Sequence, residues 1–507
     1  MAMGRDYQSQ LEPLITAAEM FPALERLCLK TRDELLMSFR VLDPMTRLRS
    51  EEAAELGLNT WADLIAHMAD QGVKIRLLIA DFDPIFTADL HQDAWRCARQ
   101  FGQRQAPGTE VLCAPHEGKS APLWKRIFAS KLHEKVEELK RYTAEQLTPL
   151  QYRALQGDVT MRPASIHQKF AISDGTDAVI GGIDVNERRY DDEDHEGKPE
   201  ETWHDVSLKV RGLAVQDLRQ HFSDCWERAI RAGAASFGEE ATALTENEPT
   251  ETRRRLDSGP RLLRTQSNAG TGRWRIGPTP LIMEHEQAHE AAFESAGRLV
   301  YIETQFFRHI PLAKSLARAA ESSPRLELIL VIPTEPERII FGGDDGVDAR
   351  HAQALQLRCL TILRKAFGDR LAVVSPAQPR PAPDGTPMPL HGAGIVYLHS
   401  KVTLVDDQIG IVGSANLNGR SMRWDTEASL QFYGEKHVRG LRDRLMATWL
   451  RGAEKRMDPT RAVEWMKLAK VESEKKPEDR KAYILPWPEE RNRRFARPLP
   501  ILPPEMF

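Results

Sequence analysis

His167-Gln168-Lys169 followed by Asp174, and His399-Ser400-Lys401 followed by Asp406, place the same residue types at the same offsets, 232 positions apart. Both read H-x-K-x4-D. A pair of small residues follows fourteen positions after each histidine, Gly181-Gly182 and Gly413-Ser414. An imidazole can attack phosphorus or protonate a departing alkoxide, and an ammonium balances a phosphate's charge. A phosphodiester carries one negative charge, and its transfer asks a protein mainly for positioning and for stabilisation of the equatorial oxygens. One histidine would form the bond to phosphorus while the other serves the leaving group. With two lysines supplying positive charge, neither a metal nor another cofactor is expected.

Asp205 and Glu427 occupy matching places in the repeat and are the candidates to hold His167 and His399 through a ring nitrogen. Such a carboxylate is expected to raise imidazole pKa, and a neutral and a protonated histidine working together imply a bell-shaped pH profile. Gly181, Gly182, Gly413 and Ser414 are expected where a phosphate approaches backbone N–H groups. Asp174 and Asp406 complete the motif, but their odd offset from the lysine and their turn positions point to bracing the loop.

These residues need strands beneath them. On a strand, residues i and i+2 face the same way, so each histidine shares a face with its lysine. The repeat continues: Asp205–Gly212 and Glu427–Gly434 each open a strand with an acid and end it with glycine. Beyond them Val215, Leu218, Phe222 and Trp226 are spaced 3, 4 and 4, as are Val438, Leu441, Leu445 and Trp449, each set drawing one apolar helix face. Upstream strands are predicted at 34–42 and 299–307, and at 73–79 and 326–332. The class is therefore α/β, mixed α+β, built from a duplicated domain. The divisions are a first half at 1–235, a linker or loop at 236–275, a second half at 276–453 and a tail at 454–507. Residues 376–394, rich in proline and glycine, read as a long loop, and the tail as a solvated helix resting on the second half.

With a net charge of -4 there is no basic excess to mark a nucleic-acid binder. Five scattered cysteines describe neither a disulfide framework nor a paired-cysteine metal site. No apolar signal core or run of 18 uncharged apolar residues is visible. The expected location is cytoplasmic or peripheral to a membrane; export by a leaderless route leaves no mark in a sequence. His285-Glu-Gln-Ala-His289 matches the zinc-peptidase pattern, but Glu290 follows and no third ligand does, so a plain amphipathic helix is expected. The acidic run Asp191–Glu196 lacks calcium-loop spacing and reads as a solvated loop.

At Ile166–Asp174, Gly181–Asp191, Trp203-His-Asp205, Leu262–Ser267, Val300–Phe307, Leu398–Lys401 and Gly413–Glu427 the chain resembles the phospholipase D superfamily, specifically its plant and other eukaryotic members. The likeness covers most of residues 30–450. It implies two mixed-sheet domains related by a pseudo-twofold axis, one active site between them, and a covalent phosphohistidine resolved by water or an alcohol. It assigns the nucleophile to His167 and the acid to His399. It makes Asn416 a phosphate contact, with Asp184 at the equivalent place in the first half. The implied partners are a phospholipid substrate and a peripheral membrane contact, with no nucleic acid. Oligomeric state and head-group preference stay open. The rivals are a nuclease or other phosphodiesterase, a cardiolipin synthase-like transferase, and a non-catalytic lipid-binding protein. The last could lose either histidine without penalty, yet both motifs are complete.

Overall fold

A computed structural model describes residues 10–103, 108–143, 145–244, 259–270, 276–499 and 501–507. The apolar runs become strands and the 3-4-4 segments become helices. The first half contributes β1 (Gln10–Ile15), β2 (Glu34–Phe39), β3 (Lys74–Ala80), β4 (Thr109–Ala114), β5 (Phe170–Ser173), β6 (Asp177–Gly181), β7 (Val206–Arg211) and β8 (Ala235–Gly238). The second contributes β9 (Arg261–Asn268), β10 (Thr279–Met283), β11 (Leu299–Thr304), β12 (Glu327–Val331), β13 (Leu371–Pro381), β14 (Ala393–Ile395), β15 (Lys401–Val405), β16 (Ile409–Gly413), β17 (Glu427–Tyr433) and β18 (Ile484–Pro486).

Two mixed sheets result. One runs β1-β7-β6-β5-β2-β3-β4-β8; the other runs β10-β9-β17-β16-β15-β11-β12-β13-β14, with β18 on β13. The parallel trio β2-β3-β4 matches β11-β12-β13, and the antiparallel meander β5-β6-β7 matches β15-β16-β17. The duplication read from the sequence is thus a duplication of sheet topology.

The helices Leu213–Arg231 and Glu435–Leu450 bury their 3-4-4 faces completely. Those faces join one apolar cluster fed by both sheets, with Ile180, Val206 and Leu208 from the first and Val412, Ala428 and Leu430 from the second. The outer face of each sheet is covered by helices of its own half.

Three sequence expectations change. The stretch 236–275 is not all loop: β8 lies at its start and closes the first sheet, and β9 lies inside it and joins the second, while 245–258 and 271–275 fall outside the described residues. β9 carries no apolar alternation, only the adjacent Leu262 and Leu263 among polar residues, so a period-2 pattern could not locate it. The proline-rich 376–394 is entered by β13 and left by β14, because its prolines sit on an irregular edge pairing. The tail rests on the second half as a helix, Ala462–Glu474, as expected, but it is also built into the fold: Trp465 is wholly buried and β18 pairs with β13.

Candidate active site

His167 and His399 stand just before β5 and β15, where each chain leaves its own sheet and leans on the other half. The His167 N–H donates to Thr426 O at 2.8 Å, and the His399 N–H donates to His204 O at 2.8 Å. Thr426 and His204 immediately precede Glu427 and Asp205. The backbone contact therefore carries each acid to the histidine of the opposite half. Glu427 lies 3.1 Å from His167 Nδ1, and Asp205 Oδ2 lies 2.6 Å from His399 Nδ1. Repeat position identifies both acids but not this crossing, which depends on how the two sheets face. With Nδ1–H committed to a carboxylate, Nε2 of each ring is left for chemistry.

Lys169 Nζ donates to the His167 carbonyl at 2.5 Å and lies 3.9 Å from Asp184. Lys401 Nζ donates to the His399 carbonyl and lies 4.0 Å from Asp205. Both ammoniums are almost fully buried.

Burial, not the carboxylates, sets the protonation of this cluster. It pushes both imidazoles well below their ordinary range, with Lys169 and Arg40 adding to the effect at His167 and Lys401 and Arg189 at His399. The expectation that an acid partner raises histidine pKa is therefore reversed. Burial also pushes Asp205 up to about 7 and Glu427 upward, and draws Lys401 down to about 7. His167 and His399 are close enough that charge on the first opposes charge on the second.

The small residues have a different task from the expected one. A Cβ on Gly182 would stand 2.3 Å from Asp205 Oδ1, and one on Gly413 would stand 2.3 Å from Ser429 Oγ. A Cβ on Gly181 would stand 2.1 Å from Ser207 Oγ. The N–H groups of Gly181, Gly182 and Ser414 go to the carbonyls of Lys169, Val206 and Ala428. These positions make room for the acid strands; their N–H groups are not free to cradle a phosphate. Ser414 Oγ donates to Glu427 at 2.5 Å and Ser421 Oγ does so at 2.7 Å, fixing the carboxylate that holds His167.

Asn416 donates to Gln305 at 3.4 Å and keeps a buried, unpartnered Oδ1. Asp184 also differs. Asp184 accepts the Val41 N–H at 2.8 Å and faces Lys169, so this carboxylate orients a lysine and leaves phosphate oxygens to donors. Asp174 and Asp406 sit at the far ends of β5 and β15. Asp174 accepts the N–H groups of Arg32, Asp33 and Glu34, and Asp406 those of Gly297, Arg298 and Leu299. Each aspartate fastens the entry of the neighbouring parallel strand.

Sequence reasoning missed the wall beside His399. Trp203 lies 4.7 Å from its ring and 5.0 Å from that of Tyr397, and the Arg189 guanidinium stacks over Trp203 at 3.5 Å. The acidic run is only partly solvated: Asp192, Asp194 and Glu196 are exposed, but Asp191 and His195 are buried and 2.6 Å apart. His195 in turn meets His204, which faces Glu303 at 3.5 Å. The alternation of acids and histidines was the available signal. In the helix Glu284–Glu294, His285 meets the hydroxyls of Thr265 and Ser429, and Glu286 meets Arg423 and His309. These contacts tie the helix to the second sheet.

Residues 290–449 match the family described as "Cardiolipin synthase, PLD-like domain". Phospholipase D1 of Saccharomyces cerevisiae is 24% identical over 331 residues, 50% of this chain and 19% of that protein. Phospholipase D beta 1 of Arabidopsis thaliana is 24% identical over 357 residues, 52% of this chain and 33% of that protein. The chain thus spans between a fifth and a third of the length of these curated relatives. The fold is similar to that of phosphatidylserine synthase from Haemophilus influenzae Rd KW20, with a TM-score of 0.51 at 16% identity, covering 89% of this chain and 86% of that one. Two histidine-lysine motifs on matched mixed sheets, their acids exchanged between halves, define a duplicated phosphodiester-type site. The second half thus carries a PLD-like domain, and the chain is similar to proteins of the phospholipase D superfamily.

Proposed function

We propose that the chain is a phospholipase D-type phosphodiesterase that cleaves glycerophospholipids to phosphatidic acid and a free head group. The observation that carries this reading is the crossed pairing, Glu427 on His167 and Asp205 on His399. His167 Nε2 attacks phosphorus; a P–N bond forms while the P–O bond to the head-group alcohol breaks. His399 Nε2–H passes its proton to that alkoxide. Lys169 and Lys401 balance charge on the non-bridging oxygens, in the place a metal would otherwise take. Water, deprotonated by His399, then opens the phosphohistidine and releases phosphatidic acid; an alcohol in its place gives an exchanged lipid.

The division of roles follows the environments. The 3.1 Å contact with Glu427 orients His167 without demanding protonation, which suits a nucleophile. The 2.6 Å contact joins His399 to Asp205, whose own pKa burial raises to about 7, so the pair can hold two protons with one on His399 Nε2, which suits an acid. No helix among the described residues is long and apolar enough to cross a membrane, so the proposed contact with lipid is peripheral. The test is incubation of the purified protein, with and without EDTA, with mixed phospholipids and ethanol, followed by mass spectrometry. Phosphatidylethanol formed at the same rate in both samples is expected; free head group without any ethanol adduct overturns the covalent route.

A further inference from the structure

Arg308 is a buried guanidinium left largely without partners. It is only 6% exposed, its Nε and Nη2 have no hydrogen-bond partner, and it makes no ion pair among the described residues. Its guanidinium lies 4.0 Å from the Phe306 ring centroid. Burial lowers its pKa to about 9, with the like charge of Arg338 adding to the effect. A guanidinium withdrawn from water without an anion is costly, and a ligand that brings the anion removes the cost.

The surroundings say which ligand group reaches it. The Arg308 backbone N–H donates to Leu417 O at 2.8 Å, next to Asn416, and its guanidinium lies close enough to Tyr397 to feel that hydroxyl's charge. Gln305, three residues earlier, connects Asn416 at 3.4 Å with the Tyr397 hydroxyl at 2.9 Å. Tyr397 continues through Trp203 to His399, and the Arg189 guanidinium stacks on Trp203. Glu337 stands 3.6 Å from Arg189 and leaves Arg308 unpaired. The wall therefore begins at the acid that protonates the leaving alkoxide and ends at an arginine without an anion. In an in-line displacement by His167, the departing alcohol lies on the His399 side.

We propose that Arg308 receives an anionic group carried by the leaving alcohol, so that the preferred substrates are phospholipids with acidic head groups. This rests on phosphodiester cleavage with His399 as the acid. The shared chemistry is a carboxylate or phosphate held by guanidinium donors.

The test measures kcat/KM for phosphatidylserine, phosphatidylinositol 4-phosphate and phosphatidylglycerol, each in phosphatidylcholine vesicles. Phosphatidylglycerol matches phosphatidylserine in net charge but releases an uncharged alcohol, which separates head-group recognition from surface attraction. At least one acidic head group is expected to exceed phosphatidylglycerol by about tenfold or more, the factor that a single hydrogen bond to a charged group supplies. A preference for phosphatidylserine identifies a carboxylate site, and one for the phosphoinositide a phosphate site. Arg308→Gln should bring the ratio close to unity, and Arg308→Lys should keep part of it. Equal values in the unaltered protein, or an equal fall for all three lipids in Arg308→Gln, overturn the proposal and leave the general reaction standing. If Arg308→Gln does not fold, the unaltered protein and Arg308→Lys still decide. Absence of turnover with every lipid overturns the phospholipase reading and this inference with it.

Discussion

At the residue scale, proton occupancy distinguishes the two histidines. Asp205 and His399 are coupled, so their protons belong to the pair. While the pair holds two protons, one can sit on His399 Nε2, facing the leaving group. That state persists below the raised pKa of Asp205, about 7. In the proposed reaction His167 must be neutral to attack, and burial keeps it neutral to well below 6.5. The kcat/KM profile should therefore rise through an acid limb below pH 6.5 and fall through an alkaline limb near 7; a plateau extending past pH 9 contradicts this assignment. Leaving-group chemistry gives a second test. A p-nitrophenolate departs without a proton, whereas a lipid alkoxide needs one. His399→Ala should lose about 10²–10⁴-fold with phospholipid and far less with a p-nitrophenyl phosphodiester, the usual span of general acid catalysis. His167→Ala should lose both, because no bond to phosphorus can form. Equal losses for the two substrates in His399→Ala would refute its acid role.

At the element scale, residues of one motif have opposite consequences because they lie at opposite ends of their strands. Gly182, just past β6, leaves space for Asp205, and a Cβ there would meet the carboxylate at 2.3 Å. Gly182→Ala should displace Asp205, release His399 and lower kcat by at least about tenfold, with an overpacking cost of about 1–3 kcal/mol. Asp406, with φ of 51°, adopts a left-handed turn and holds three N–H groups at the start of β11. Asp406→Ala should instead lower the thermal midpoint, losing about 2 kcal/mol in stability, while the folded enzyme retains its kcat. Kinetics and thermal unfolding on the two variants check both expectations; a kcat collapse in folded Asp406→Ala would overturn the bracing role. This contrast also shows what was legible beforehand. The H-x-K-x4-D spacing, the paired acids and the 3-4-4 helices are local patterns, and local patterns located them. The crossing of the acids, the Trp203–Tyr397 wall and burial of Asp191 and His195 arise from contacts between distant segments. A net-charge reading of Asp191–Glu196 sees a solvated loop because it cannot see His204 and Trp449 closing over His195.

At the scale of the whole molecule, duplication has not left two independent domains. Each histidine takes its acid and a backbone hydrogen bond from the other half. Beneath them one apolar cluster joins β6 and β7 to β16 and β17 and includes both long helices. Separating the halves would expose that layer and break the dyad together. Leu208 and Leu430 are fully buried in it, one from each sheet. Unfolding should therefore be a single calorimetric transition with matching calorimetric and van't Hoff enthalpies, despite the length of the chain. Leu430→Ala should cost about 2–5 kcal/mol, as truncation of a buried leucine generally does. It should move that single transition to lower temperature, with loss of activity following the same curve. A split into two transitions, one unchanged from the parent protein, would mean that the first half does not depend on the shared layer. The active site would then lie at a contact between separable domains, and its loss on heating would precede the melting of either sheet.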